Sequence, residues 1–173
     1  MTAALQDFAA DSSERFIADT GYSIKEPAYL DLLRDTELPD IAADLFGGDS
    51  SIWYLGEQIF HKEGPHGTRR TPWHQDTSYM NILGRQMAAL WIPLDPLPRE
   101  CSLEVVRGSH TGVTYNGSRF EVGDDTAPVY VDSAMPRLPD IESDRDAWDI
   151  VGDAMVPGDL LVLDRKSTRL NSS

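Results

Sequence analysis

TPWHQDTSYMNILGRQMAALWIPLDPLPRECSLEVV, residues 71–106, is the stretch on which the fold turns. A strand is predicted near Trp73. QMAALWIPL (86–94) is the clearest apolar run in the chain, and Pro96 and Pro98 break it with a turn. SLEVV (102–106) resumes as a further strand, closed by Arg107-Gly108-Ser109-His110. Downstream, PVYVD (128–132) reads as a short edge strand. Residues 133–147 are proline-rich, then acidic, and read as a surface wrap. A strand, turn and strand around Pro157-Gly158-Asp159 runs into LLVL (160–163). Upstream, SIWYLGEQIFH (51–61) is rich in aromatic and β-branched types and reads as strand, and 64–72 reads as loop, with Gly64-Pro65 and Gly67. The first fifty residues read as helical. Leu5, Phe8 and Ala9, then Phe16 and Ile17, suggest amphipathic turns. Tyr29, Leu30 and Leu33, then Leu38, Ile41, Ala42 and Leu45, recur at helical spacing, with Gly47-Gly48 as a stop. No internal repeat is visible. A helical start followed by many short strands predicts an α+β arrangement around an all-β sandwich or barrel.

Composition narrows the function classes. The 173 residues are 40% hydrophobic and 25% charged, which suits one soluble domain or a large part of one. A net charge of −14 argues against nonspecific binding to nucleic acid or anionic lipid. No apolar run approaches the ~18–20 residues that span a bilayer. Residues 1–10 lack a basic start and a long apolar stretch, so no signal peptide is expected. Cys101 stands alone, which excludes an internal disulfide and leaves no cysteine cluster for zinc. A cytoplasmic protein acting on something small is expected.

The C-terminal stretch differs. Residues 165–173, RKSTRLNSS, hold three of the 15 basic residues and none of the 29 acidic ones, and they lack the apolar alternation of the strand before them. A polar tail is one reading. The other rests on the ten residues DRKSTRLNSS (164–173), which match the translation of a widely used DNA sequencing adapter. On that reading residues 164–173 are non-native, and the native sequence departs after Leu163.

Trp73-His74-Gln75-Asp76 carries the chemistry. On a strand, residues i and i+2 face the same side, so the His74 imidazole and the Asp76 carboxylate would converge. That suits a non-haem Fe(II) site, where two histidines and one carboxylate take one face of the metal. On spacing alone, a His-x-Asp pair is more often two surface loop residues.

TPWHQDTSY (71–79), LWIPLD (90–95) and SLEVVRGSH (102–110) occur in order at close spacing, followed by VPGDLLVL (156–163). Together they resemble the phytanoyl-CoA dioxygenase family of Fe(II)- and 2-oxoglutarate-dependent oxygenases, over roughly residues 51 to 163. The resemblance implies a double-stranded β-helix, a cupin-like jelly roll with N-terminal helices, here incomplete at its C-terminus. It implies that residues 1–163 are a partial oxygenase domain, that His74 and Asp76 are metal ligands, and that Trp91 borders the 2-oxoglutarate pocket. Gln58 falls near a position that lines the same pocket, and Lys62 lies in a Lys-Glu-Pro-Gly-like stretch whose last two residues are exchanged here. His110 is structural in that family, neither His61 nor His66 is expected to bind metal, and Cys101 reads as a packing residue. The cofactors implied are Fe(II), 2-oxoglutarate and O2, and the implied reaction is hydroxylation of a small organic substrate. An acidic residue at position 76 favours hydroxylation over halogenation. Arg69, Arg70 and Arg85 flank the metal motif and either meet an anionic substrate or sit in solvent.

The family's second metal histidine and its 2-oxoglutarate arginine follow the Pro-Gly-Asp strand, and this chain reaches DRKSTRLNSS instead. Arg165 and Arg169 lie in the tail and are not assigned the arginine's role. The chain as given is therefore expected to lack a ligand, the cosubstrate anchor and the final strand, and to be inactive and poorly stable. Two other classes compete: a non-catalytic jelly-roll module that binds a small molecule, and a cupin, although cupins favour a His-x-His pair.

Overall fold

The computed structural model describes residues 15–20, 27–48, 51–63, 70–80, 82, 84 and 86–171. The chain divides into two compact units, residues 1–68 and residues 69–173.

In the first unit, strand β1 (Arg15–Thr20) pairs antiparallel with β2 (Gln58–Glu63), in register from Arg15 opposite Glu63 to Thr20 opposite Gln58. Helices α1 (Pro27–Arg34) and α2 (Leu38–Leu45) carry the apolar repeats at helical spacing. Pro39 lies in the first turn of α2, where its missing N–H costs nothing. Gly47 and Gly48, at φ 93° and 83°, end the helix in left-handed backbone, and the Gly48 N–H reaches back to the Ala43 carbonyl at 2.8 Å. The helical turn expected at Phe16 and Ile17 is instead strand β1. An isolated apolar pair fits either period, and pairing with Lys62 and His61 of β2 decides between them. Leu5, Phe8 and Ala9 lie outside the described residues. The strand expected over 51–61 begins only at Gln58.

The second unit holds two antiparallel sheets. One has the order β3-β8-β5-β6, from β3 (Thr71–His74), β8 (Arg169–Asn171), β5 (Leu103–Val106) and β6 (Ile150–Val151). The other pairs β4 (Ala88–Trp91) with β7 (Leu161–Asp164). Trp73, Val106, Leu138, Ile141 and Leu170 form the core cluster, with Tyr115, Trp148 and Ile150 against it.

Two expectations change here. The stretch set apart as a polar tail without a strand contributes β8, which pairs with both β3 and β5. Leu170 is only 2% exposed. A three-residue strand is too short to show alternation, and one buried leucine carries its whole apolar contribution. PVYVD forms no strand, only an isolated bridge from Ser118 to Pro128. The Asn116 side chain stands in for a partner strand there: its amide donates to the Tyr130 carbonyl at 2.7 Å and accepts the Tyr130 N–H at 3.1 Å. Among the described residues, no helix is long and apolar enough to cross a membrane.

Candidate metal centre

His74 is the last residue of β3. Gln75 continues extended at φ −117° and ψ 136°, and Asp76 opens a 3-10 turn, Asp76–Tyr79. The pair therefore does not share a strand, as the spacing predicts. It still converges, because the extended Gln75 preserves the two-residue repeat. His74 Nε2 lies 3.7 Å from Asp76 Oδ1.

Gln75 points the other way and is 1% exposed. Its amide donates to the Val113 carbonyl and to Thr168 Oγ1, both at 3.1 Å, and accepts the Tyr115 N–H at 2.9 Å. These bonds tie the His74–Asp76 segment to two other segments, and buried polar groups need such partners. The sequence shows only that Gln75 must face away from its neighbours, not what it meets.

His74 donates its Nδ1–H to the Pro72 carbonyl at 2.8 Å, which leaves the Nε2 lone pair facing Asp76. Its ring packs edge-on against Tyr79 and Phe120, at centroid distances of 6.0 and 5.6 Å. Phe120 sits at φ 56°, a costly conformation for a bulky residue. Its N–H is held by Ser118 Oγ at 2.9 Å, while the Tyr79 hydroxyl donates to the Ser118 carbonyl at 2.6 Å. Burial pushes the Tyr79 phenol well above its ordinary range, with the Ser118 bond opposing. Burial, then the positive charge of Arg169, lowers His74 to about 4, against the opposing influence of the Pro72 bond and Asp76. The imidazole is thus neutral at pH 7, the form that binds metals.

Arg169 completes the cluster. It stands directly opposite His74 across the β3–β8 pair. Its Nη2 lies 2.6 and 2.5 Å from the two Asp76 oxygens, with the two side chains 14% and 12% exposed. The sequence, read as a tail from residue 164, gives no reason to bring Arg169 here; a short strand between two others does.

The remaining candidates are carried by other elements. Trp91 is half-buried on β4, opposite Leu161 of β7. Gln58, Lys62 and His61 lie on β2, in the first unit. His110 sits in a 3-10 turn, Ser109–Thr111, after the left-handed Gly108. Arg70 pairs with Glu142 at 3.5 Å. Cys101 is half-buried at the end of a 3-10 turn. His66, Arg69 and Arg85 lie outside the described residues. An open groove of about 690 Å³ runs beside the 3-10 turn that follows Asp76, lined among others by Thr77, Ser78, Tyr130 and Met135.

This donor set does not fit a divalent iron. Two protein ligands converge where the facial arrangement needs three. Among the described residues, no group of three or more His, Cys, Asp or Glu side chains could hold a metal ion. Both Asp76 oxygens are instead engaged by a guanidinium.

The motif and its fold nonetheless define a class. The chain belongs to the phytanoyl-CoA dioxygenase family, whose model matches residues 5–166. That is a family of Fe(II)- and 2-oxoglutarate-dependent oxygenases. In fold the chain is similar to the crystal structure of the non-heme alpha-ketoglutarate-dependent carbocyclase SnoK from nogalamycin biosynthesis, with a TM-score of 0.69 at 21% identity. The match covers 98% of this chain and 63% of that one, so the chain spans less than two thirds of its structural neighbour. No curated protein matches the sequence.

Proposed function

We propose that residues 1–163 are a partial oxygenase domain. The parent protein hydroxylates a small organic substrate with Fe(II), 2-oxoglutarate and O2, and the 173-residue chain itself is inactive. The observation that carries the inactivity of this chain is the Arg169 guanidinium on Asp76, in a cluster that offers a metal only two donors. The family match supports the oxygenase assignment, and the likeness to SnoK supports a double-stranded β-helix. His74 and Asp76 are the metal pair of the parent. Trp91 and Gln58 belong to its 2-oxoglutarate pocket. The protein is cytoplasmic on this reading and its partner is a small molecule; the net charge of −14 supports the exclusion of nucleic acid and anionic membranes.

Residues 164–173 are the non-native segment on this reading. The family match ends at residue 166, close to the point where the adapter-like sequence begins. Sequencing the coding DNA past the codon for Leu163, from an independent adapter-trimmed clone, is expected to show a strand carrying a histidine and then an arginine. A gene that does end in DRKSTRLNSS overturns the tail assignment. The Asp76–Arg169 pair would then be native, favouring a second reading: a jelly-roll module that binds a small molecule without catalysis. For activity, the chain is mixed with Fe(II), ascorbate and 2-oxoglutarate, and succinate is measured. None above the protein-free background is expected, and turnover by residues 1–173 refutes the inactivity.

A further inference from the structure

We propose that in the 173-residue chain the Arg169 guanidinium closes the His74–Asp76 pair to divalent metal; Arg169 belongs to the segment read above as non-native, so the closure is a property of this chain and not of its parent. The inference rests on the reading of His74 and Asp76 as the metal-facing pair.

Three observations carry it. First, the guanidinium covers the metal-binding atoms themselves. A metal held by Asp76 and His74 needs a carboxylate lone pair and the Nε2 lone pair at about 2.0–2.2 Å. Arg169 Nη2 contacts both Asp76 oxygens, and a dication would enter against its fixed positive charge. Second, the backbone that carries the arginine is fixed beside Asp76. Its neighbours are locked: the Leu170 side chain is in the core, the Thr168 N–H bonds Ser109 Oγ at 2.8 Å, and the Thr168 carbonyl accepts the Val106 N–H at 2.9 Å. Third, the guanidinium is replaceable. Among the described residues its side-chain bonds go to Asp76, and its Nη1 is buried with no partner there. Cross-strand partners present side chains on the same face, so an imidazole at 169 would stand beside His74. With Asp76 it would supply two histidines and a carboxylate on one face.

The test is a titration of the metal-free full chain with Co(II), followed by calorimetry and by the visible absorption of the bound ion, which needs no turnover. The unaltered chain is expected to bind no Co(II) tighter than about millimolar, and Arg169→His to bind it at least about 100-fold tighter. The gain should vanish in the double variant with His74→Ala. Three results would overturn the proposal: an unaltered chain within about tenfold of Arg169→His, a folded Arg169→His that binds no tighter, or a gain that survives loss of His74. Should Arg169→His not fold, Arg169→Gln carries the test. It keeps a donor for Asp76 without the charge, and an affinity unchanged from the unaltered chain refutes the proposal. Succinate formation by the unaltered chain judges the oxygenase reading; Co(II) affinity judges this one.

Discussion

Two buried carboxylates on the same half of the molecule show how differently one kind of ion pair can be used. Glu104, on β5, meets Arg145 at 2.8 Å and Arg99 at 3.4 Å, and those arginines remain 34% and 53% exposed. Arg145 also pairs with Glu142 at 2.9 Å and lies 5.9 Å from the Trp73 ring centroid, while the Trp73 indole donates to Glu142 at 3.0 Å. That network reaches the surface, where water can replace any one member. Asp76 has a single buried arginine and a neutral histidine beside it. Each cluster leaves one buried polar atom without a partner: Glu104 Oε2 in the first, Arg169 Nη1 in the second. The unused atom in the first network is an acceptor on a structural carboxylate. In the second it is a donor on the cation itself, a sign that the pocket around Asp76 is not shaped for a guanidinium.

The contrast has measurable consequences. Arg169→Leu should be the most damaging change, because it leaves the Asp76 carboxylate buried and uncompensated. A loss of about 3–5 kcal/mol in urea unfolding is expected. A loss no larger than that of Arg145→Leu would erase the difference between the clusters.

The next effect is pH dependence. His74 titrates near 4 in the folded chain and near 6.5 when unfolded, so the unfolded state binds the extra proton first. Stability from this group is complete above pH 6.5 and is lost as pH falls towards 4. The whole window is worth about 3 kcal/mol. Urea midpoints at pH 7 and pH 4.5 should differ accordingly, and His74→Gln should flatten the slope between them.

Arg145→Leu comes third, at about 1–2 kcal/mol, because Arg99 and water still serve Glu104. The exposed pair Arg107–Asp149, with side chains 69% and 65% exposed, marks the floor. Arg107→Ala should cost under about 1 kcal/mol by the same assay and less still in high salt.

Much of the architecture is legible along the chain. The apolar run before Trp91, the prolines at 96 and 98, and the helical repeats from Tyr29 to Leu45 lie where their periods place them. His74 and Asp76 are legible as a pair because a two-residue spacing survives the change from strand to 3-10 turn. What escapes is the non-local part. Phe16 and Ile17 could serve helix or strand until β2 pairs with them. Tyr130 has strand-like neighbours, yet the Asn116 amide takes its backbone bonds. Gln75 shows no sign in sequence of the three bonds that anchor the motif.

Arg169 marks the boundary most clearly. By itself the sequence determined the family, the α+β character and the convergence of the side chains at 74 and 76. Those depend on local periodicity and on side-chain chemistry at fixed spacing. Only the tertiary structure decided what faces that pair. Residue 169 lies ninety-five positions from His74 and becomes its neighbour only because β8 inserts between β3 and β5. Hydrogen-bonding two open strand edges and burying one leucine set that arrangement, and neither is written in the three residues Arg169–Asn171 taken alone.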